Sequence, residues 1–298
     1  MIDTKQHISQ LEASHQTAAY DLSVVIPTRN ERGNIQPLLS AIQDALKGIR
    51  VEVIFVDDSD DDTPRIIDAS AEAMAQLHIR LQHRLPGDER SGGLATAVEQ
   101  GMQLARARYV AIIDADLQHP PMQLRVLYDK AIAENADMVL ATRYKRGGSY
   151  EGLDGISRLL ISLGFKWTAK VLFPEKLLGI SDPLGGFFLF RRSIMENVTL
   201  RPIGYKILLE VLIRCPWQSF VEVPYHFHAR SNGQSKADMR QGLTALQHMG
   251  RLLREVPSAG RVWKIAGAAA TSSVGLAILC SLAAITPKPR SSQADLNA

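Results

Sequence analysis

Between residues 22 and 141 short apolar runs alternate with segments of helical period, and this alternation narrows the fold more than any other feature. Leu22 to Ile26 (LSVVI), Val51 to Val56 (VEVIFV), Tyr109 to Ile113 (YVAII) and Met138 to Ala141 read as buried strands, with Ile79 to Leu81 a further short one. Between them lie helical segments at 34–46, 64–77, 94–106 and 121–134. The first carries Ile35, Leu38, Leu39, Ile42 and Leu46 on one face. Strands alternating with helices imply an α/β fold, a mostly parallel sheet with helices on both faces. Ligands of such a sheet bind outside the carboxyl ends of its strands, and there the polar residues of this chain cluster.

After residue 145 the alternation stops. Gly147, Gly148, Gly152 and Gly155 form a loose stretch, and Ile156 to Phe173 reads as an amphipathic helix. Arg158, Ser162, Lys166 and Lys170 recur every four residues, which places them along one stripe. Leu159, Leu160, Leu163, Trp167, Val171 and Leu172 flank it. A basic stripe beside Trp and Leu suits a membrane interface, while a helix packed on the domain would use the same apolar residues; different faces can do both. Residues 265–285 are 21 uncharged positions, long enough for a bilayer core of ~30 Å at ~1.5 Å per residue. Arg251, Arg254, Arg261 and Lys264 precede them and Lys288 and Arg290 follow, so the richer amino-terminal flank would be cytoplasmic. The expected organisation is a disordered tail at 1–20, a catalytic domain at 21–240, an amphipathic juxtamembrane segment at 241–262, a membrane helix at 263–286 and a tail at 287–298.

A net charge of +3 over 298 residues excludes a bulk basic field for nucleic acid. Residues 1–20 lack the apolar stretch of a signal peptide. Cys215 and Cys280 make no metal or redox spacing and read as buried thiols in a reducing compartment. His226 and His228 have no third ligand near them in sequence and read as structural.

Asp114-Ala115-Asp116 directly follows a strand, and Gln118 and His119 come next. Two carboxylates at i and i+2, with an amide, are hard donors suited to Mg²⁺ or Mn²⁺ on a diphosphate. Val56-Asp57-Asp58-Ser59 ends a second strand, where aspartate can accept from a ribose hydroxyl or a base N–H. Asp60, Asp61 and Asp62 read as a solvated turn, with Asp62 or Thr63 as helix cap and Pro64 at the first position. Pro27-Thr28-Arg29-Asn30-Glu31 follows the first strand and could frame a nucleobase.

PTRNE, VDDS-x-x-x-T, RSGGLATA, DADLQH, TRYKRGG, SDPLGGF, GYKILLE and R-x-x-G-x-SKA occur in this order across residues 22–240. The series resembles the family-2 inverting glycosyltransferases of GT-A fold, and within them the polyprenyl- and dolichyl-phosphate mannose synthases. The resemblance implies that Pro27, Thr28, Glu31, Val56 and Asp58 hold the nucleoside. Asp114, Ala115, Asp116 and Gln118 would hold the diphosphate and a metal, with Asp116 and Gln118 as direct ligands. Arg143, Arg230 and Lys236 would bind phosphate groups, and Arg158 and Ser162 the phosphate of a lipid acceptor. Arg29 stands where the family commonly has Tyr, Asp62 replaces a glycine, and Gly185-Gly186 replaces Thr or Ser followed by Gly. The implied reaction moves mannose from GDP-mannose to a polyprenyl or dolichyl phosphate at the cytoplasmic face of a membrane.

The residues support such an acceptor independently. A phosphate monoester has its second pKa near 6, so about nine-tenths is dianionic at neutral pH and needs no base. It needs positive charge, which Arg143, Lys145, Arg146, Arg158, Lys166 and Lys170 supply. Asp182 is then expected to orient the sugar or an arginine. The rival readings are a UDP-glucose or amino-sugar transferase to the same acceptor and a membrane-tethered scaffold that binds nucleotide-sugar without turnover. The glycine fingerprint of a dehydrogenase and the phosphate loop of an NTPase are both absent.

Overall fold

The computed structural model describes residues 19–74, 76–149, 156–228 and 239–256. The strands are β1 (Leu22–Thr28), β2 (Val51–Asp57), β3 (His78–His83), β4 (Tyr109–Ile112), β5 (Met138–Thr142), β6 (Phe188–Arg191) and β7 (Phe220–Pro224). The helices are α1 (Ile35–Ala45), α2 (Thr63–Ala73), α3 (Leu94–Leu104), α4 (Gln123–Ala133), α5 (Ile156–Leu172), α6 (Pro174–Leu177), α7 (Ile207–Arg214) and α8 (Met239–Glu255). The strands form one sheet in the order β3-β2-β1-β4-β6-β5-β7. All neighbours are parallel except β6, which runs antiparallel between β4 and β5.

Strand parity divides the core into two layers. Leu22, Val24 and Ile26 of β1, with Val53 and Phe55 of β2, pack under Ile35, Leu38 and Leu39 of α1 and Leu124 and Leu127 of α4. Val25, Ile54, Val56, Val110 and Ile112 face the other way, toward α3, α7 and α8. Both faces are therefore covered, and the central strands can be apolar throughout. The expected α/β architecture with helices on both faces is the one observed. Among the described residues no helix is long and apolar enough to cross a membrane. The segments 263–286 and 1–18 lie outside the described residues.

The amino edge of the sheet is closed by one buried carboxylate. Glu52 is fully buried and accepts from Ser23 Oγ (2.6 Å), from the Arg106 backbone N–H (2.6 Å) and from Arg80 (3.2 Å). These bonds tie β1, β2, β3 and the turn before β4, and leave the carboxyl edge for chemistry. Two turns there use left-handed backbone on ordinary residues: Asn30 (φ 57°) after β1 and Leu117 (φ 61°) after β4. Asn tolerates that region, but for Leu it is strained, and such strain gathers at functional sites. The acidic turn before α2 is capped by Asp61, not by Asp62: Asp61 Oδ1 accepts from the Thr63 N–H (3.0 Å) and Oγ1 (2.5 Å).

Helix α3 lies close on the sheet at Gly101, where an added Cβ would stand 2.3 Å from Val25 Cγ1 and 3.3 Å from Val56 Cγ2. Neither branched side chain can swing away. Gly101→Ala is expected to lower stability by about 1–3 kcal/mol through overpacking. Urea unfolding checks this; an unchanged midpoint would show that the helix can lift at no cost.

Candidate active site

A cleft of about 550 Å³ opens at the carboxyl edge, lined by the ends of β1, β2, β4 and β5 and by the amino ends of α3 and α7. It gathers Pro27, Thr28, Glu31, Asp58, Asp114, Ala115, Asp116, Gln118 and Arg143, the greater part of the residues singled out in the sequence. Val56 is not among them. Its side chain is fully buried against α3 because it precedes Asp57 on the face opposite Phe55. It packs the core and cannot hold a nucleoside with its side chain. Ser162 sits outside the cleft lining, with Oγ 3.1 Å from Tyr144 Oη. Arg230, Lys236 and the side chain of Arg158 lie outside the described part of the structure.

At the β1–β2 end the paired aspartates divide their work. Asp57 is fully buried, accepts from Thr28 Oγ1 (2.6 Å) and Ser59 Oγ (2.6 Å), and lies 2.8 Å from His83 Nδ1. It sets the shape of the floor. Asp58 reaches the cleft and is gripped by Arg84 through Nε (2.7 Å) and Nη2 (2.6 Å). Arg84 also donates to Thr96 Oγ1 (3.0 Å) and to the Gly93 carbonyl (3.1 Å), which fixes the glycine turn before α3. Gly93 has φ 66°, a conformation that favours glycine. No motif or spacing marks Arg84, because its contacts join residues remote along the chain.

At the β4–β5 end Asp114, Asp116, Gln118 and Arg143 line the same cleft. Asp116 Oδ1 accepts from the Gln118 N–H (3.1 Å), a bond that the Leu117 conformation allows. Gln118 Nε2 donates to the His228 carbonyl (3.1 Å), and the His228 N–H donates to the Gln118 carbonyl (3.0 Å). His228 thus serves through its backbone as a strut for Gln118, in line with the structural reading of the histidine pair. His119 Nε2 lies 3.4 Å from Asp114 Oδ2, in a cage of Phe187, Tyr225 and Phe227. A Cβ at Gly186 would stand 3.1 Å from Asp114 Oδ2, so glycine there leaves that oxygen open to the cleft.

Among the described residues no three His, Cys, Asp or Glu side chains form a metal cage. Asp114, Asp116 and Gln118 instead bring two carboxylates and one amide to the cleft. That sparse oxygen set suits Mg²⁺ or Mn²⁺ when nucleotide phosphates complete the shell.

Arg143 is nearly buried and forms a two-pronged pair with Asp182, Nε to Oδ2 at 2.8 Å and Nη2 to Oδ1 at 3.1 Å. Burial opposes its charge, but the attraction of Asp182 and these bonds prevail and hold the guanidinium pKa above its usual value. Asp182 therefore orients an arginine, one of the two roles expected of it. Lys206, just before α7, also lines the cleft and donates to the Leu184 carbonyl (3.1 Å). Burial, then the nearby Arg143, lowers its pKa to about 8 against the opposing pull of Asp182 and Asp114. The GYKILLE motif contains it, but nothing in the spacing marked it as a site residue. Cys215 is a buried thiol, and burial pushes its pKa up to about 12; Cys280 lies outside the described residues.

The sequence profile of Glycosyl transferase family 2 matches residues 23–199, more than half of the chain. The chain belongs to this family. The dolichol-phosphate mannosyltransferase of Pyrococcus furiosus is 36% identical over 233 residues, which are 78% of this chain and 64% of that protein. The chain thus spans somewhat less than two thirds of the archaeal relative. The dolichol-phosphate mannosyltransferase of Saccharomyces cerevisiae is 32% identical over 78% of this chain and 86% of its own length. The same fold occurs in Mycobacterium tuberculosis glucosyl-3-phosphoglycerate synthase, solved with Mn²⁺, UDP and glucosyl-3-phosphoglycerate. Its TM-score is 0.59 at 21% identity, with 84% of each chain covered.

Two outcomes follow from this geometry. Asp182→Ala strands a buried guanidinium and is expected to cost about 3–5 kcal/mol, read by chemical denaturation; a loss under about 1 kcal/mol would contradict the pairing. Lys206 is charged below its pKa of about 8, so nucleoside diphosphate affinity should fall as pH rises through that value. Calorimetric titration of GDP across this range should show the fall in the wild type and lose it in Lys206→Met. A wild-type profile flat through that range would contradict the assignment.

Proposed function

We propose that this chain transfers mannose from GDP-mannose to a polyprenyl or dolichyl phosphate, with inversion at the anomeric carbon. The observation that carries the proposal is the pairing of an acidic, amide-bearing floor with Arg143, whose neighbouring carboxylate Asp182 is already committed to it. An acceptor that must lose a proton would need that carboxylate free, whereas a phosphate dianion is a nucleophile as it arrives. The names of the archaeal and yeast relatives support the same acceptor and sugar.

In this reading Pro27, Thr28, Glu31 and Asp58 frame the nucleoside. Asp114, Asp116 and Gln118 face the diphosphate, with Asp116 and Gln118 as the direct ligands of Mg²⁺ or Mn²⁺. The bound ion would offset the negative charge that grows on the departing diphosphate. Arg143 and Lys206 add positive charge to the cleft, and Arg230 and Lys236 would add theirs to the same phosphates. A phosphate oxygen of the acceptor attacks the anomeric carbon as the bond from that carbon to the β-phosphate oxygen breaks. The nucleoside diphosphate leaves with that electron pair, and no proton moves.

Arg158 and Ser162 of α5 would hold the acceptor phosphate. Ile161, Trp167 and Val171 of α5 and Leu243 of α8 are exposed apolar side chains that would meet the lipid. With residues 263–286 as an anchor, the catalytic domain would work at the cytoplasmic surface of a membrane.

Transfer of labelled sugar from a panel of nucleotide donors to polyprenyl phosphate tests the reading. GDP-mannose should be used best, and Asp116→Ala should lower turnover by about a hundredfold or more, in keeping with loss of a stabiliser of developing charge. Preference for UDP-glucose would overturn the choice of sugar. Unchanged transfer by Asp116→Ala would overturn the metal site.

A further inference from the structure

Three groups converge on the ring of Tyr144. Its hydroxyl lies 3.1 Å from Ser162 Oγ. The guanidinium carbon of Arg143 stands 5.5 Å from its centroid. The ammonium of Lys166, one turn after Ser162 on α5, stands 3.8 Å from the same centroid. Ser162 and Lys166 are four residues apart and so share one face of the helix.

The charge balance around this ring is uneven. Arg143 is neutralised by Asp182, and Lys145 pairs with Glu222 at 2.9 Å. Lys170 turns away to the Leu178 carbonyl (3.3 Å) and the Trp167 ring. Lys166 is half-buried and makes no ion pair among the described residues; its contact is the face of Tyr144. An aromatic face holds an ammonium in place without neutralising it. Burial, together with Lys170 and Arg143, weighs against the ammonium and lowers its pKa, with Asp182 pulling the other way. A site of this kind is completed by an anion.

We propose that Lys166, braced on Tyr144, is a ligand of the acceptor phosphate, placed one turn from Ser162 on α5 and, like Arg143, against the Tyr144 ring. The proposal rests on the lipid-phosphate reading above and adds a residue to it. Tyr144 acts as a positioning residue. Its ring carries the ammonium, its hydroxyl sets the Ser162 side chain, and its backbone adjoins Arg143, so one side chain keeps the three groups in register.

The experiment measures initial rates of the full-length protein with GDP-mannose and a short, water-soluble prenyl phosphate, varying each in turn. A hydrogen bond to a charged group is worth about tenfold to a hundredfold in affinity. Lys166→Met is therefore expected to raise the acceptor KM by about tenfold or more while leaving the donor KM within about twofold. Lys166→Arg should recover most of the loss. Tyr144→Phe, which keeps the ring and removes the hydroxyl, should raise the acceptor KM by a smaller factor. GDP titration verifies that each variant is folded, and Lys166→Gln carries the same expectation if the methionine variant is not. The proposal is overturned if the acceptor KM does not move, or if donor KM rises in step with it. It is also overturned if the defect appears only with acceptor embedded in vesicles, which would make Lys166 a contact for the bilayer surface. Failure of the wild type to use any prenyl phosphate would instead refute the acceptor reading itself, and this inference with it.

Discussion

Parallel strands deliver their continuations to one edge of a sheet, and everything at this site depends on that constraint. β1, β2, β4 and β5 run in the same direction, so Thr28 at the end of β1 and the turns carrying Asp58, Asp114 and Arg143 open on a single cleft. The antiparallel β6 is the useful exception. It starts at that edge, so the loop before it brings Asp182 to Arg143 and Gly186 to Asp114. The opposite edge is tied by Glu52 and bears no part of the cleft.

Charge within the cleft is managed by pairing some groups and leaving others to a ligand. Arg84 with Asp58 and Arg143 with Asp182 are near-buried pairs that fix geometry. Such pairs add little net stability over apolar replacements, but removing one partner is costly, so they hold shape more than they strengthen the fold. Asp58, Asp114, Asp116 and Lys206 line the same space. In the proposed reaction a diphosphate with a divalent ion would meet both the carboxylates and the ammonium at once.

Much of this could be read from the sequence, and the failures have physical reasons. The first five strands and the helices between them were legible because buried parallel strands are continuous apolar runs and their helices carry a clear period. β6 and β7 were not, because they lie beyond the point where the regular alternation of strand and helix ends. Asp114, Asp116 and Gln118 were legible from their place just past a strand, and Arg143 through the family resemblance. Val56, which the resemblance assigned to the nucleoside, turns its side chain to α3, because residues inside a strand alternate between faces. Arg84, Lys206 and Tyr144 escaped notice because what matters about them is contact with residues distant in the chain, which no spacing records.

The central claim is that a divalent ion, an oxygen donor set from the turn after β4 and a nucleoside diphosphate form one unit. Pulsed electron paramagnetic resonance of Mn²⁺ bound to the protein with GDP measures this directly. Hyperfine coupling of the ion to phosphorus is predicted for the wild type, and its loss for Asp116→Ala at the same concentrations. A protein-bound Mn²⁺ signal without phosphorus coupling, or one unaltered in Asp116→Ala, would contradict the account.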